Sequence, residues 1–425
     1  MKNLFLKKLS LKKKNGMSGR AMSLLLSCFV FSTLLVVTLN SNASEPNSET
    51  IPPPVIDATT LHHKVLCGYQ GWFRCPGDSV DRGWVHYSRN RNRITPESLT
   101  FEMWPDMSEL TDAEKYPVPG FTYPDSKPAA LFSSAHPKTI SRHFGWMRQY
   151  GIDGALVQRF VIETDRPNST RIVELAAQAA EASGRTFALE YDMSSVPSDQ
   201  LFEKITTDWR MMVDEVRITE NPRYLHHDGI PVLAVWGFYP DRFNGGLANK
   251  LIDFFKTEGR YGVTLIGGCP WQWRRETDPE WVRAFRRFDV ISPWNVGNVR
   301  KIEGKLHAQT SPWADDFAEA RRHDMAFMPV VYPGFSWDNL KRKPPGSTNI
   351  PRLGGEFLRR QFKTASGLGI EMVKVAMFDE VDEATAIFKI SNTPPTQAHF
   401  LTLEGLPSDT YLRITGESSR LIRGE

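Results

Sequence analysis

The chain has 425 residues, 40% of them hydrophobic and 24% charged, with 12 Trp and 25 Phe. That is ordinary globular composition, and it excludes disordered and fibrous classes. The formal net charge of +3 misleads: seven of the 52 Lys and Arg lie in residues 1–43 with no acid, which leaves 45 basic against 49 acidic residues in the remainder. Such a balance argues against a nucleic-acid binder, which presents a basic face.

Residues 1–20 are basic, 21–39 are uncharged and mostly apolar, and Ser41-Asn-Ala43 offers small residues for cleavage. The segment reads as a secretory signal peptide over residues 1–43, so the mature protein is expected to be exported, periplasmic or extracellular, with no membrane association after cleavage. An uncleaved anchor is the alternative, since the apolar run just reaches bilayer length. Met17 is a second possible start. Residues 44–60, with Pro46 and Pro52-Pro-Pro54, read as a Pro-rich linker.

From Leu61 to the end one alternation runs through the chain. Strand-like apolar runs fall at 64–73, 153–160, 186–192, 230–238, 263–271, 289–295, 326–335 and 373–380. Between them lie amphipathic segments at 138–150, 169–184, 198–217, 246–259, 278–287, 312–324 and 354–369, several closed by glycine at Gly151, Gly184, Gly259 and Gly369. Eight strands alternating with helices predict an α/β fold of the (β/α)8 TIM-barrel type, a single domain over 61–425. A doubly wound sheet is the rival, but Gly68-Tyr-Gln-Gly71 after the first strand is not a phosphate-binding turn. The first βα connection, Arg74 to Pro137, is long and carries Trp84, Trp104, Phe121 and Tyr123. It is expected to fold over the barrel mouth as a lid or cleft wall, with Trp84 or Trp104 above the catalytic pair. The tail from Ser391 to Glu425 is expected to pack on the barrel as a closing extension.

Barrel sites are built at the C-terminal ends of the strands. Those ends hold Gln70, Trp72 and Phe73; Gln158 and Arg159; Glu190, Tyr191 and Asp192; Trp236; Trp271 and Trp273; Trp294 and Asn295; Tyr332, Phe335 and Trp337. Six of the 12 Trp are in this set, and aromatic faces beside polar groups suit sugars. Core packing remains the alternative for any single Trp. The last strand then delivers Asp379, Glu380, Asp382 and Glu383. If the chain turns after Glu380, Glu380 and Glu383 come to one side about 5–6 Å apart at Cβ, the scale on which two carboxyls flank a glycosidic bond. The alternative is an acidic first turn of a final helix.

Other chemistries find less support. His62-His63 and His226-His227 are adjacent pairs whose side chains diverge on a strand, so no metal site and no cofactor are expected. Cys67 and Cys75 flank the end of the first strand and could be joined in an exported protein, or remain buried thiols with Cys269.

These residues together resemble a known group. Gly68-Tyr-Gln-Gly-Trp-Phe73, Gln158-Arg159, Glu190-Tyr-Asp192 and Asp379-Glu-Val-Asp-Glu-Ala-Thr385 look like the glycoside hydrolase family 71/99-like group, over the chain from Leu61 to its end. Family 99 members are (β/α)8 endo-α-mannosidases whose last strand carries Asn-Glu-Trp-His-Glu-Gly-Thr, which falls on Asp379 to Thr385. The resemblance implies that Glu380 acts as base on the sugar's 2-hydroxyl, or as nucleophile equivalent, and that Glu383 protonates the leaving oxygen. It implies an oligo- or polysaccharide substrate with an α-linkage. The strand ends and the acidic stretch supply the residues expected to hold it: Trp72, Gln158, Arg159, Glu190, Tyr191, Asp192, Trp236, Trp271, Trp294, Tyr332, Asp379 and Asp382. Val381, Asp382 and Asp379 depart from the family motif, so mannose specificity is not implied. A xylosidase or arabinosidase type of activity on plant or algal glycans, or a glycan-binding barrel without catalysis, are the alternatives.

Overall fold

The computed structural model describes residues 54–257 and 259–425; the expected signal peptide and the first part of the linker lie outside them. The last residues of the linker are not a free tether. Ile56 N donates to the Gly184 carbonyl at 2.9 Å and His226 N to the Ala58 carbonyl at 2.7 Å, so this stretch runs along the barrel and is held there by backbone bonds.

Eight parallel strands follow in ring order: β1 Lys64–Tyr69, β2 Gly154–Phe160, β3 Thr186–Asp192, β4 Ile230–Trp236, β5 Thr264–Pro270, β6 Val290–Trp294, β7 in two pieces at Ala326–Phe327 and Val330–Val331, and β8 Met372–Val375. The ring closes because the first piece of β7 pairs with β6 and the second with β8, while β8 pairs with β1. Pro329 lies at the break, where a residue without an N–H fits because no ladder donor is needed.

Each strand is followed by a helix: α1 Pro137–Tyr150, α2 Arg171–Ser183, α3 Ser198–Asp214, α4 Gly245–Phe255, α5 Pro279–Phe285, α6 Trp313–Arg322, α7 Glu356–Gly367 and α8 Thr410–Arg423. Local chemistry sets their ends. Asn244 and Asp278 cap α4 and α5 by accepting from the amides of Leu247 and Glu280, both at 2.8 Å. Gly151 and Gly184 stop α1 and α2 in the left-handed region, at φ 76° and 68°. The C-terminal tail supplies the eighth helix of the barrel. On α8, Gly416 lies so close to the Tyr150 carbonyl that a Cβ would come within 1.6 Å of its oxygen, and Tyr411 takes the Arg352 guanidinium over its ring at 4.4 Å.

The long connection after β1 carries an antiparallel hairpin, Tyr116–Thr122 with Pro128–Leu131, and packs its aromatics inward. Its backbone joins the return path of β8: Glu102 N donates to the Val381 carbonyl at 2.8 Å and Leu401 N to the Glu102 carbonyl at 2.7 Å. The connection therefore walls the β8–β1 side of the mouth.

Candidate active site

β8 ends at Val375, short of the expected Glu380, and the chain turns back through Val381–Ala384. The amides of Thr385 and Ala386 both donate to the Glu380 carbonyl, at 3.1 and 3.0 Å, and Met377 N donates to the Thr385 carbonyl at 3.2 Å. Ala384 takes φ 52°, a left-handed conformation that costs a residue with a Cβ about 1 kcal/mol. The four carboxylates thus ride on a tight loop, not on the first turn of a helix. The next helix starts only at Thr410.

Each carboxylate has its own surroundings. Asp379 is fully buried and accepts from the amides of Gln70 and Gly71, at 2.8 and 2.9 Å, which fastens the end of β1 to the end of β8. That bond pair turns the Gln70 amide onto Glu380, whose Oε1 accepts from Gln70 Nε2 at 3.1 Å and whose Oε2 accepts from Thr385 Oγ1 at 2.9 Å. Asp382 Oδ2 meets Nδ1 of His86, from the long connection, at 3.0 Å. Glu383 is half-buried; its backbone carbonyl accepts from Ser336 N at 2.9 Å. Among the described residues neither Glu380 nor Glu383 is in an ion pair with the barrel wall.

Burial dominates the electrostatics. It pushes Asp379 up to about 7 against the two backbone amides that favour its charged form. Glu383 is likewise pushed up to about 7, first by burial and then by the Asp382 charge, with Lys341 pulling the other way. Glu380 is raised by burial, by Glu383 and by Asp382. Two buried carboxyls that repel each other hold one proton between them. Glu380 receives two hydrogen bonds, which oppose that rise without cancelling it, so both carboxyls are displaced toward their protonated forms.

The lumen collects every second residue of the strands. Gln158 Nε2 donates to Glu190, and Lys374 of β8 forms a buried ion pair with the same carboxylate. Gly68 leaves the room that Met377 fills: a Cβ there would come within 2.4 Å of its sulfur. Asp192 caps Ser194 N at 2.6 Å, and its carboxyl is raised by burial, with Arg242 opposing. Trp236 and Trp294 meet edge to face at 5.6 Å, with the Arg242 guanidinium 4.5 Å over Trp236 and Lys374 Nζ 5.3 Å over Trp294. Trp72 stacks between His86 at 3.7 Å and Phe160 at 5.2 Å.

Three expected site residues belong elsewhere. Arg159 pairs with Asp208 of α3, and the Tyr191 hydroxyl donates to the same carboxylate, so both face the helix layer. Tyr332 packs on Phe357 of α7 at 5.0 Å and its hydroxyl donates to the Asn298 carbonyl. The period of two along a strand accounts for the first two, since neighbours of Gln158 and Glu190 must point away from them. Trp271 is half-buried just past β5, and Trp273 is buried. Trp104 is fully buried among Phe101, Phe121 and Phe400, and Trp84 is 4% exposed, so neither forms the surface over the acidic loop. Trp72 and His86 take that place.

Sequence reasoning missed His86, Lys374, Arg242 and Lys341, whose Nζ lies 4.8 Å over Trp337. Six buried polar atoms at the strand ends have no protein partner among the described residues: Gln70 Oε1, Trp72 Nε1 and Asp382 Oδ1 near β1 and β8, and Trp236 Nε1, Ser292 Oγ and Asn295 Nδ2 on β4 and β6. Such atoms are costly to bury unless water or a ligand meets them. Elsewhere, Cys67, Cys75 and Cys269 are free buried thiols. His62 bonds Glu371 just before β8 and Leu61 N donates to His227, which puts these histidines at the N-terminal ends of the strands, away from the acids.

The architecture is a (β/α)8 barrel with an acidic mouth at the C-terminal ends of its strands. The fold matches the solved structures of the GH99 endo-α-mannosidase from Bacteroides thetaiotaomicron, alone and with bis-tris-propane, at TM-score 0.64 and 17% and 16% identity, covering 86% of this chain and 100% and 98% of those. A glycoside hydrolase-like protein matches at TM-score 0.52 and 13% identity over 86% of this chain and 96% of that one. No family model matches the sequence, and no curated protein matches it.

Proposed function

We propose that the protein is an exported glycoside hydrolase that cleaves an α-linked oligo- or polysaccharide with Glu380 and Glu383. One observation carries the reading: two glutamates three residues apart on the same loop at the barrel mouth, both pushed up by burial and by neighbouring carboxylates, with Glu380 also accepting two hydrogen bonds. Two neighbouring carboxyls that share a proton can divide the work of acid and base in cleaving a glycosidic bond, and the family resemblance gives the acid role to Glu383. Glu383 gives its proton to the glycosidic oxygen as the bond to the anomeric carbon breaks. Glu380 takes the proton from the sugar's 2-hydroxyl as that oxygen bonds to the anomeric carbon, or adds to that carbon directly, and water then opens the intermediate. Trp236 and Trp294 supply stacking faces, Trp72, covered on both faces by His86 and Phe160, contributes only its edge, and Gln158, Glu190 and Asp192 line the floor. The fold shared with GH99 enzymes supports this reading, and the N-terminal segment supports export. The test is an assay over α-mannans, α-glucans and plant glycans with Glu380→Gln and Glu383→Gln. Each is expected to lower kcat by at least about 1000-fold, and full activity retained by either ends the assignment.

A further inference from the structure

One side chain ties the long first connection to the acidic loop. His86 sits at φ 62°, a left-handed conformation that non-glycine residues adopt only when their surroundings hold them there. Its ring lies flat on Trp72, with centroids 3.7 Å apart and planes within 6°. Its Nδ1 faces Asp382 Oδ2 at 3.0 Å, and because a carboxylate only accepts, that nitrogen carries the hydrogen. The Asp382 side chain is 3% exposed, and its other oxygen has no protein partner. The bond from His86 is therefore the one donated hydrogen bond this carboxylate receives from the described residues.

We propose that His86 is a positioning residue for the acid Glu383: it fixes the Asp382 carboxyl beside the pair, and it sets Trp72 at the cleft wall. The proposal rests on the glycosidase reading. Asp382 faces His86 from the long connection, Tyr87 next to it, and Asp379, Glu380 and Glu383 from its own loop. Glu383 faces Asp382, Glu380 and, from the turn after β7, Lys341. His86 also lies near Glu163, which Arg82 engages. In this set, the Asp382 charge is what favours the protonated form of Glu383 beyond burial itself. Without His86, the Asp382 carboxyl would lose its one donor and its fixed place beside Glu383. Its push on Glu383 would weaken, and Glu383 would release its proton at lower pH. Loss of His86 therefore acts in the same direction as loss of the Asp382 carboxylate.

The experiment compares His86→Ala, His86→Asn, Asp382→Asn and His86→Ala/Asp382→Asn. Asn tolerates the left-handed backbone and puts an amide N–H near the Nδ1 position, so it guards against a folding defect. Two readouts are used: the pH profile of kcat/KM on the best glycan, and an infrared titration of the carboxyl stretch in unliganded protein, assigned by difference against Glu383→Gln. His86→Ala and Asp382→Asn are each expected to move the alkaline limb, and the infrared midpoint, down by about one pH unit. Each is expected to lower kcat on the order of 10- to 100-fold with a smaller change in KM. His86→Asn restores the midpoint, and the double variant is no worse than either single one. An unmoved midpoint in His86→Ala, additive effects in the double variant, or failure of Asn to restore the midpoint overturns the proposal. If no glycan is cleaved by the unmodified protein, the glycosidase reading fails, while the infrared titration still decides whether His86 governs Glu383.

Discussion

Strands β2 and β3 carry two rows of side chains that differ in kind although they alternate residue by residue. The inner row, Gln158, Glu190 and Asp192, meets Lys374 and the aromatic wall of the lumen. The outer row, Arg159 and Tyr191, converges on Asp208 of α3, in the dry layer between sheet and helices. Both rows are polar at the strand ends, so polarity alone does not separate function from architecture. Position in the pleat does. The outer cluster is a closed network in which every charge has its partner, whereas the mouth above the inner row keeps polar atoms that no group among the described residues satisfies.

The contrast breaks most sharply at Arg159. Replacing it by Ala leaves Asp208 buried without its cation, a loss of about 3–5 kcal/mol. Urea unfolding should show that loss while kcat/KM of the folded fraction stays unchanged. Gln158→Ala, one residue earlier, should do the reverse, weakening substrate binding with little change in the unfolding midpoint. Equal stability losses at both positions would erase the distinction.

The same logic separates two tryptophans. Trp104 is core: its indole N–H donates to the Tyr123 hydroxyl at 3.2 Å and its ring packs among Phe101, Phe121 and Phe400. Trp104→Ala should cost about 3–5 kcal/mol in thermal or urea unfolding and leave KM alone. Trp294 is half-buried at the mouth, and Trp294→Ala should raise KM about 10-fold with under about 1 kcal/mol lost in stability, for one lost stacking face. An unchanged KM there would remove Trp294 from the cleft.

These outcomes mark what a reader could take from the chain by itself. The barrel was legible because strand and helix periods repeat eight and seven times, and the seven helices expected fall where the structure has them. The eighth, α8, was missed as a helix because the tail around it reads as irregular up to Thr410. The acidic loop was legible as a cluster of four carboxylates in five residues, but not its setting, a tight loop in place of a strand end or the first turn of a helix. Arg159 and Tyr191 were misread because adjacent residues were grouped by strand end without splitting them by face. His86 had no local signal: its partner Asp382 is 296 positions away, and only folding of the long connection brings the two together. Trp84 and Trp104 were placed over the site for the same reason in reverse, because a loop of that length builds its own core before it covers anything else.

The smallest expected effect concerns pH and stability, and it sets the mouth against the rest of the molecule. Asp379 and Glu383 of the acidic loop and Glu102 of the long connection are each pushed up to about 7 by burial. A carboxyl whose folded value is raised contributes stability that is complete below its unfolded value, near 4, and is lost as pH rises through about 7. Glu114 runs the other way: although burial raises it, the stronger combined pull of Arg142 and Thr111 brings it down to about 2, so its contribution holds above its unfolded value and fades only in strong acid. Between pH 5.5 and 8 the raised groups prevail, and Tm should fall as pH rises, with stability dropping by an amount on the order of 1–2 kcal/mol for each such group. Glu102 separates this from catalysis, since it only accepts from Ser336 and Asn339 in the wall beside the acidic loop. Glu102→Gln keeps an acceptor there and removes one titrating group, so the slope of Tm against pH should flatten while the pH profile of kcat/KM stays put. A Tm that climbs from pH 5.5 to 8, in either protein, would mean that the loop houses its carboxylates charged, and the proton assigned to Glu383 would have no basis.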